Sequence, residues 1–123
     1  MKILLTGHKG YIGAVAGPTL QSAGHEVVGL DTDLFAGCEF GEAAPEIPEV
    51  RKDLRDLTKA DLAGFEAVLH FAALSNDPLG NLDPSVTYDI NHLASVRLRI
   101  SQGGWGEALC PFLFLQYLRR RRG

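Results

Sequence analysis

The stretch TGHKGYIG, residues 6–13, constrains this chain more than any other part of it. It follows a short apolar run, KILLT (2–6), and precedes apolar residues at helical spacing, YIGAVAGPTLQSAG (11–24). A buried strand, a glycine turn and a helix in that order predict a phosphate-binding corner at the carboxyl end of a sheet strand. Each glycine then has a job. Gly7 permits the tight turn off the strand, Gly10 lets the backbone approach a pyrophosphate, and Gly13 lets the helix lie close to the sheet. The first turn of the helix, at Tyr11 and Ile12, points unpaired N–H groups and a partial positive charge at the phosphates. A glycine pattern alone is a weak signal, and a plain turn is the competing reading. An acid in the right place favours the first. Asp31 ends the next apolar run, HEVVGLD (25–31), 18 residues after Gly13. A carboxylate there accepts hydrogen bonds from an adenosine ribose and repels a 2′-phosphate, which predicts NAD rather than NADP.

The same alternation continues along the chain. EVRKDL (49–54) reads as a short third strand, LTKADLAGF (57–65) as a short helix with Thr58 as N-cap and Gly64 as its stop, and EAVLHFAA (66–73) as a fourth buried strand. Residues 75–85 read as a loop and 86–100 as a long amphipathic helix. Gly24 stops the first helix, and Pro18 inside it predicts a kink. Strands alternating with helices predict an α/β chain, a Rossmann-type doubly wound parallel sheet with helices on both faces, truncated to its N-terminal half. The strand order expected is 3-2-1-4.

Composition narrows the rest. Residues 1–100 carry 8 Lys/Arg against 14 Asp/Glu, a net of −6, so the body has no basic footprint for nucleic acid. No apolar run is long enough for a membrane span, and none reads as a signal peptide. Cys38 and Cys110 form neither a disulfide framework nor a metal-ligand spacing, so a reducing, cytoplasmic setting and no metal are expected. His8, His25 and His92 read as surface or turn residues, and His70 as a packed core histidine.

Five segments, TGHKGYIG, VVGLD, RKDLRD, VLHFAALSNDP and YDINHLASVRL, occur in this order. Together they resemble the extended short-chain dehydrogenase/reductase family, in its NAD-dependent epimerase/dehydratase branch acting on sugar nucleotides. The resemblance covers about residues 1–100 and implies an NAD-binding domain. It implies that Asp53 contacts the adenine with the Leu54 backbone beside it, and that Phe71, Ala72 and Ala73 line the cofactor. It also implies that Asn91 supports the cofactor side of the active site, with Tyr11 and Ile12 at the pyrophosphate. For an intact relative it implies a nucleotide-sugar substrate and hydride transfer at a sugar carbon, with a homodimer as one arrangement. The plainer readings stay open: Asp53 as a solvated loop acid, HFAA as the end of a buried strand, and Asn91 as an exposed helix residue.

The family's chemistry uses a Ser or Thr at the end of the fifth strand, in a Ser-rich segment, and a Tyr-x-x-x-Lys pair, in which the Lys lowers the Tyr pKa. Here Tyr117 is followed four residues on by Arg121, Tyr88 by His92, and Tyr11 lies in the glycine loop. No catalytic residue is therefore assigned, and enzymatic activity of the chain is left open. Residues 101–123, SQGGWGEALCPFLFLQYLRRRRG, do not continue the pattern. Reading one base later forces Trp105 to Gly, Glu107 to Lys or Arg, and Phe112 and Phe114 to Phe or Ser. Those residues suit a strand ending in serines. An out-of-frame tail from near residue 99 is therefore expected, with 111–118 able to mimic a fifth strand. A diverged native end, a basic tail for an acidic partner and a cloning artefact are the alternatives. The functional expectation is the N-terminal NAD-binding part of a sugar-nucleotide epimerase or dehydratase. A non-catalytic dinucleotide-binding module, or the inactive product of a damaged gene, is the alternative.

Overall fold

The computed structural model describes residues 1–38 and 45–101, together with the backbone of 109–110. Strands β1 (Lys2–Thr6), β2 (Glu26–Asp31), β3 (Glu49–Arg51) and β4 (Ala67–His70) pair in the order β3-β2-β1-β4, all parallel. This is the expected order. The central strand β1 pairs Leu4 with Val28 on one side and with Val68 on the other. Two further residues, Leu109–Cys110, pair in parallel with Val68 and Leu69 as β5. The expected mimic strand, 111–118, lies outside the described residues.

Period-two alternation divides the sheet into two faces. On one, Leu4, Leu30 and Val68 meet Leu54, Leu62, Phe65, Ala94 and Leu98 in a single apolar cluster. On the other, helix α1 (Tyr11–Ser22) lies so close that a Cβ built at Gly17 would sit 3.5 Å from Leu5 and 3.2 Å from Ile47. Helices thus cover both faces, as a doubly wound sheet requires. Helix α1 runs through Pro18 without a break and stops at Gly24, whose φ is +86°.

Three elements depart from the sequence reading. The helix expected at 57–65 is one 3₁₀ turn at Ala60–Leu62. Thr58 does not cap it by accepting; its N–H and hydroxyl both donate to Asp61. With Lys52 also on that carboxylate, Asp61 is held down at about 2. The loop expected at 75–85 holds helix α2 (Asp77–Leu82), because Asn76 caps it and Pro78 starts it without losing a needed N–H. The long helix is composite: α3 (Pro84–Tyr88), a π-helical segment (Asp89–Ala94) and α4 (Ser95–Ser101). Among the described residues no helix is long and apolar enough to cross a membrane.

Candidate functional site

The glycine loop leaves β1 at Gly7, with φ at +71°, a left-handed conformation that favours glycine. A Cβ there would also meet Ala72 N at 2.6 Å, so the loop and the segment after β4 touch backbone to backbone. At Gly13 a Cβ would collide with the Gly7 carbonyl and the His8 backbone. The fold itself therefore needs Gly7 and Gly13. Gly10 is different. Its φ is −73°, and the nearest atom to a Cβ there is Gly7 O at 3.2 Å. Gly10 is exposed and is the N-cap of α1, yet among the described residues no side chain caps the helix, and no acid occupies its first turn. The first-turn N–H groups, including those of Tyr11 and Ile12, thus have no intrahelical partner. Tyr11 is 95% exposed.

Asp31 stands beside this loop. Its Oδ2 accepts from the Lys9 N–H at 3.1 Å and its Oδ1 from the Asp33 N–H at 3.0 Å. Each oxygen keeps a lone pair for another donor. Around it lies a charged cluster that the sequence reading missed. Lys9 Nζ reaches Asp33 at 2.9 Å and Glu49 Oε2 at 3.1 Å, and His8 Nε2 reaches the same Glu49 oxygen at 2.9 Å. These bonds hold the Asp33 and Glu49 carboxyls below their ordinary range and raise Lys9. His8 is not a surface residue. It is 7% exposed, and its ring lies where a Cβ at Gly29 would be. Only a glycine in β2 admits it, which is why a residue read as a turn histidine becomes buried. His25 and His92 are half-buried, and the His25 Nδ1 is buried with no hydrogen-bond partner among the described residues. The His92 ring lies 4.8 Å from that of Tyr88. Cys38 is exposed.

Asp53 follows β3 at the same end of the sheet, where the Lys52 N–H bonds to Asp31 O at 3.0 Å. Its carboxylate is occupied locally. It caps the turn Leu54–Asp56 through the Arg55 N–H and pairs with the Arg55 guanidinium at 2.8 Å, which holds its carboxyl down. Leu54 is a core side chain, and its carbonyl accepts from Leu57 N. Phe71, Ala72 and Ala73 are half-buried and leave β4 beside the glycine loop. Asn91 lies in the π-helical segment and braces the same segment. Its Oδ1 accepts from Leu74 N at 2.8 Å and its Nδ2 donates to Leu74 O at 2.9 Å. The carboxyl ends of four strands thus bring together the glycine loop, Asp31, Asp53 and the 71–74 segment. The arrangement presents free N–H donors for an anion and a carboxylate for hydroxyl donors, about one shallow edge.

Comparison with known proteins agrees with this geometry. A family model described as "NAD dependent epimerase/dehydratase family" matches residues 3–99. A UDP-glucose 4-epimerase of Corynebacterium glutamicum is 38% identical over 77 residues, covering 61% of this chain and 23% of that protein. A UDP-glucose 4-epimerase of Mycolicibacterium smegmatis is 33% identical over 105 residues, 80% of this chain and 33% of its own length. The crystal structure of Thermus thermophilus UDP-glucose 4-epimerase with NAD superposes with a TM-score of 0.71 at 29% identity, covering 86% of this chain and 35% of that one. The 123 residues therefore span about a quarter to a third of these relatives and resemble the N-terminal NAD-binding region of sugar-nucleotide epimerases. With the match running through the glycine loop, Asp31 and Asn91, the chain belongs to the NAD dependent epimerase/dehydratase family.

Proposed function

We propose that this chain binds NAD at the carboxyl ends of its strands and forms the cofactor half of a sugar-nucleotide epimerase or dehydratase site. The observation that carries the reading is Gly10, the loop glycine whose φ any residue can adopt and whose Cβ would press on a single carbonyl, set at an uncapped helix N-terminus. The residues present fit a dinucleotide. The N–H groups of the first turn of α1 would hold the pyrophosphate, with Gly10 leaving room for it. Asp31 would accept from the ribose hydroxyls, the Asp53–Leu54 turn would border the adenine, and Phe71–Ala73, braced by Asn91, would line the inner part. When bound, NAD supplies a hydride acceptor and donor for a sugar carbon. The chain's own residues bind and orient it, and none is assigned a proton-transfer role. Calorimetric titration tests the reading. NAD should bind and NADP should bind far more weakly, because a 2′-phosphate would meet Asp31, Asp33 and Glu49. Equal affinity for the two, or none for NAD, overturns it.

Nucleotide-sugar turnover, a dimeric assembly and a cytoplasmic setting belong to the same proposal. The UDP-glucose 4-epimerases above support the first of these; the other two rest on the family resemblance, and none rests on a residue of this chain. We further propose that residues 101–123 are out of frame, so that the domain proper is 1–100. A non-catalytic dinucleotide-binding module is the competing reading. The coding DNA separates them. A Ser-rich strand and Tyr-x-x-x-Lys in the shifted frame support the first, and an early stop there supports the second.

A further inference from the structure

Beneath the proposed cofactor edge runs a line of buried polar groups from three separate elements. Thr6, in β1, is fully buried, and its Oγ1 lies 2.7 Å from His70 Nδ1. His70, in β4 and 7% exposed, has its Nε2 2.7 Å from Ser95 Oγ. Ser95, at the start of α4 and 8% exposed, donates to the Asn91 carbonyl at 3.0 Å. At the other end the Ala72 N–H donates to Thr6 Oγ1 at 3.4 Å.

Counting hydrogens gives this line a direction. With the proton on Nε2, the Ala72 N–H donates to Thr6, the Thr6 hydroxyl to Nδ1, Nε2–H to Ser95, and the Ser95 hydroxyl to Asn91 O. Every donor has an acceptor. With the proton on Nδ1, Thr6 Oγ1 receives two donors and its own hydrogen has no acceptor among the described bonds. The Asn91 carbonyl also loses the serine, which must turn to Nε2. A cationic ring leaves the Thr6 hydrogen in the same position and adds a buried charge. Buried hydroxyls are rarely left so, and the ring's burial opposes its protonation.

Both ends of the line reach one piece of backbone. Ala72 begins it, and Asn91, which ends it, clamps Leu74 by two further bonds. We propose that Thr6, His70 and Ser95 are positioning residues. Their one-way hydrogen-bond chain, with His70 neutral and protonated on Nε2, sets the backbone of Phe71–Leu74 against the glycine loop. The importance of that backbone for binding rests on the dinucleotide reading above; the chain of bonds does not.

The test uses the full chain labelled with ¹⁵N-histidine, the His70 signals being assigned by their loss in His70→Gln. At neutral pH the spectrum should show the Nε2–H tautomer; an Nδ1–H or cationic ring overturns the proposal. Thr6→Val should speed amide exchange at Ala72 and weaken NAD binding, each by about tenfold, the scale of one hydrogen bond. Thr6→Ser should restore both, whereas a packing role alone would follow the lost methyl group in Thr6→Ser. Unchanged exchange in Thr6→Val overturns the proposal. If that variant does not fold, Ser95→Ala decides. Removing the acceptor of Nε2–H leaves Thr6 donating to Nδ1, so the Nε2–H tautomer should persist while its hydrogen exchanges faster and the Nε2 shift moves; an Nδ1–H ring, or an Nε2–H signal unchanged in both shift and exchange, overturns the chain of bonds. Should NAD fail to bind the unaltered chain while tautomer and exchange behave as stated, the dinucleotide reading falls and the positioning role stands.

Discussion

Two glycines three residues apart, Gly10 and Gly13, do different work, and substitution should separate them. Gly13→Ala places a methyl group against the Gly7 carbonyl and the His8 backbone, neither of which can yield cheaply. It should cost at least about 1–3 kcal/mol, the range for overpacking. Gly10→Ala meets only one carbonyl at 3.2 Å. It should lower the unfolding midpoint clearly less than Gly13→Ala does while weakening NAD binding, since the new methyl group stands where a pyrophosphate would approach. Urea unfolding and calorimetry on the two variants check the contrast, and a reversed order of effects refutes the assignment of Gly10. Asp31→Ala should weaken NAD binding by tenfold or more, because hydrogen bonds to a charged group are worth about 1.5–3 kcal/mol each. Asp31 also holds the Lys9 and Asp33 N–H groups, so Asp31→Asn, which keeps one acceptor, is the control for loop disorder.

Between elements, the π-helical segment connects the helical layer to the strand ends. A π-bulge shifts the residues around it and often marks a functional position. Here it carries Asn91, whose amide satisfies both backbone groups of Leu74 across 17 residues of sequence. That explains how an asparagine in mid-helix can be structural and still bear on the site. It acts on the cofactor edge through Leu74. Asn91→Ala leaves the Leu74 N–H and C=O unpaired, and at about 0.5–1.5 kcal/mol per bond it should cost roughly 1–3 kcal/mol. Hydrogen exchange should show the loss first at Leu74, before the core strand residues Leu4 and Val68. Simultaneous loosening of the core would mean that Asn91 supports the whole domain.

The whole molecule should be acid-sensitive, and the buried histidine says where. Burial pushes His70 down to about 4 from its ordinary 6.5. Between those values the unfolded chain binds a proton that the folded chain does not. Stability from this group is therefore complete above about pH 6.5 and declines as pH falls toward about 4. The full loss is about 3 kcal/mol for one group. Asp61 works lower, its contribution being present above 3.8 and lost toward about 2, so the first acid loss belongs to His70. Urea midpoints measured from about pH 7 down to about pH 4.5 should fall, and His70→Gln should flatten that slope. An unchanged slope assigns it to other groups. The outer side of α1 with Leu69 and Phe71 forms an open apolar groove, where Val15 is 67% exposed.

The parallel order of the four strands, the glycine corner and Asp31 could be read without coordinates because each rests on local pattern. A period of two marks a strand, a period near 3.6 marks a helix, and a glycine turn between them leaves few topologies. Asn76 and Pro78 also carried a local helix signal, which the loop reading of 75–85 passed over. The burial of His8 had no such signal. It depends on Gly29 opposite and on Glu49, which lies 41 residues away in sequence. The pairing of Asn91 with Leu74, and of Thr6 with His70 and Ser95, likewise depends on separations of 17, 64 and 25 residues. Hydrophobic periodicity reports which side of an element faces the core. A polar side chain finds its partner only when sheet order and helix placement have brought distant segments within hydrogen-bond reach, and that was decided by the tertiary structure alone.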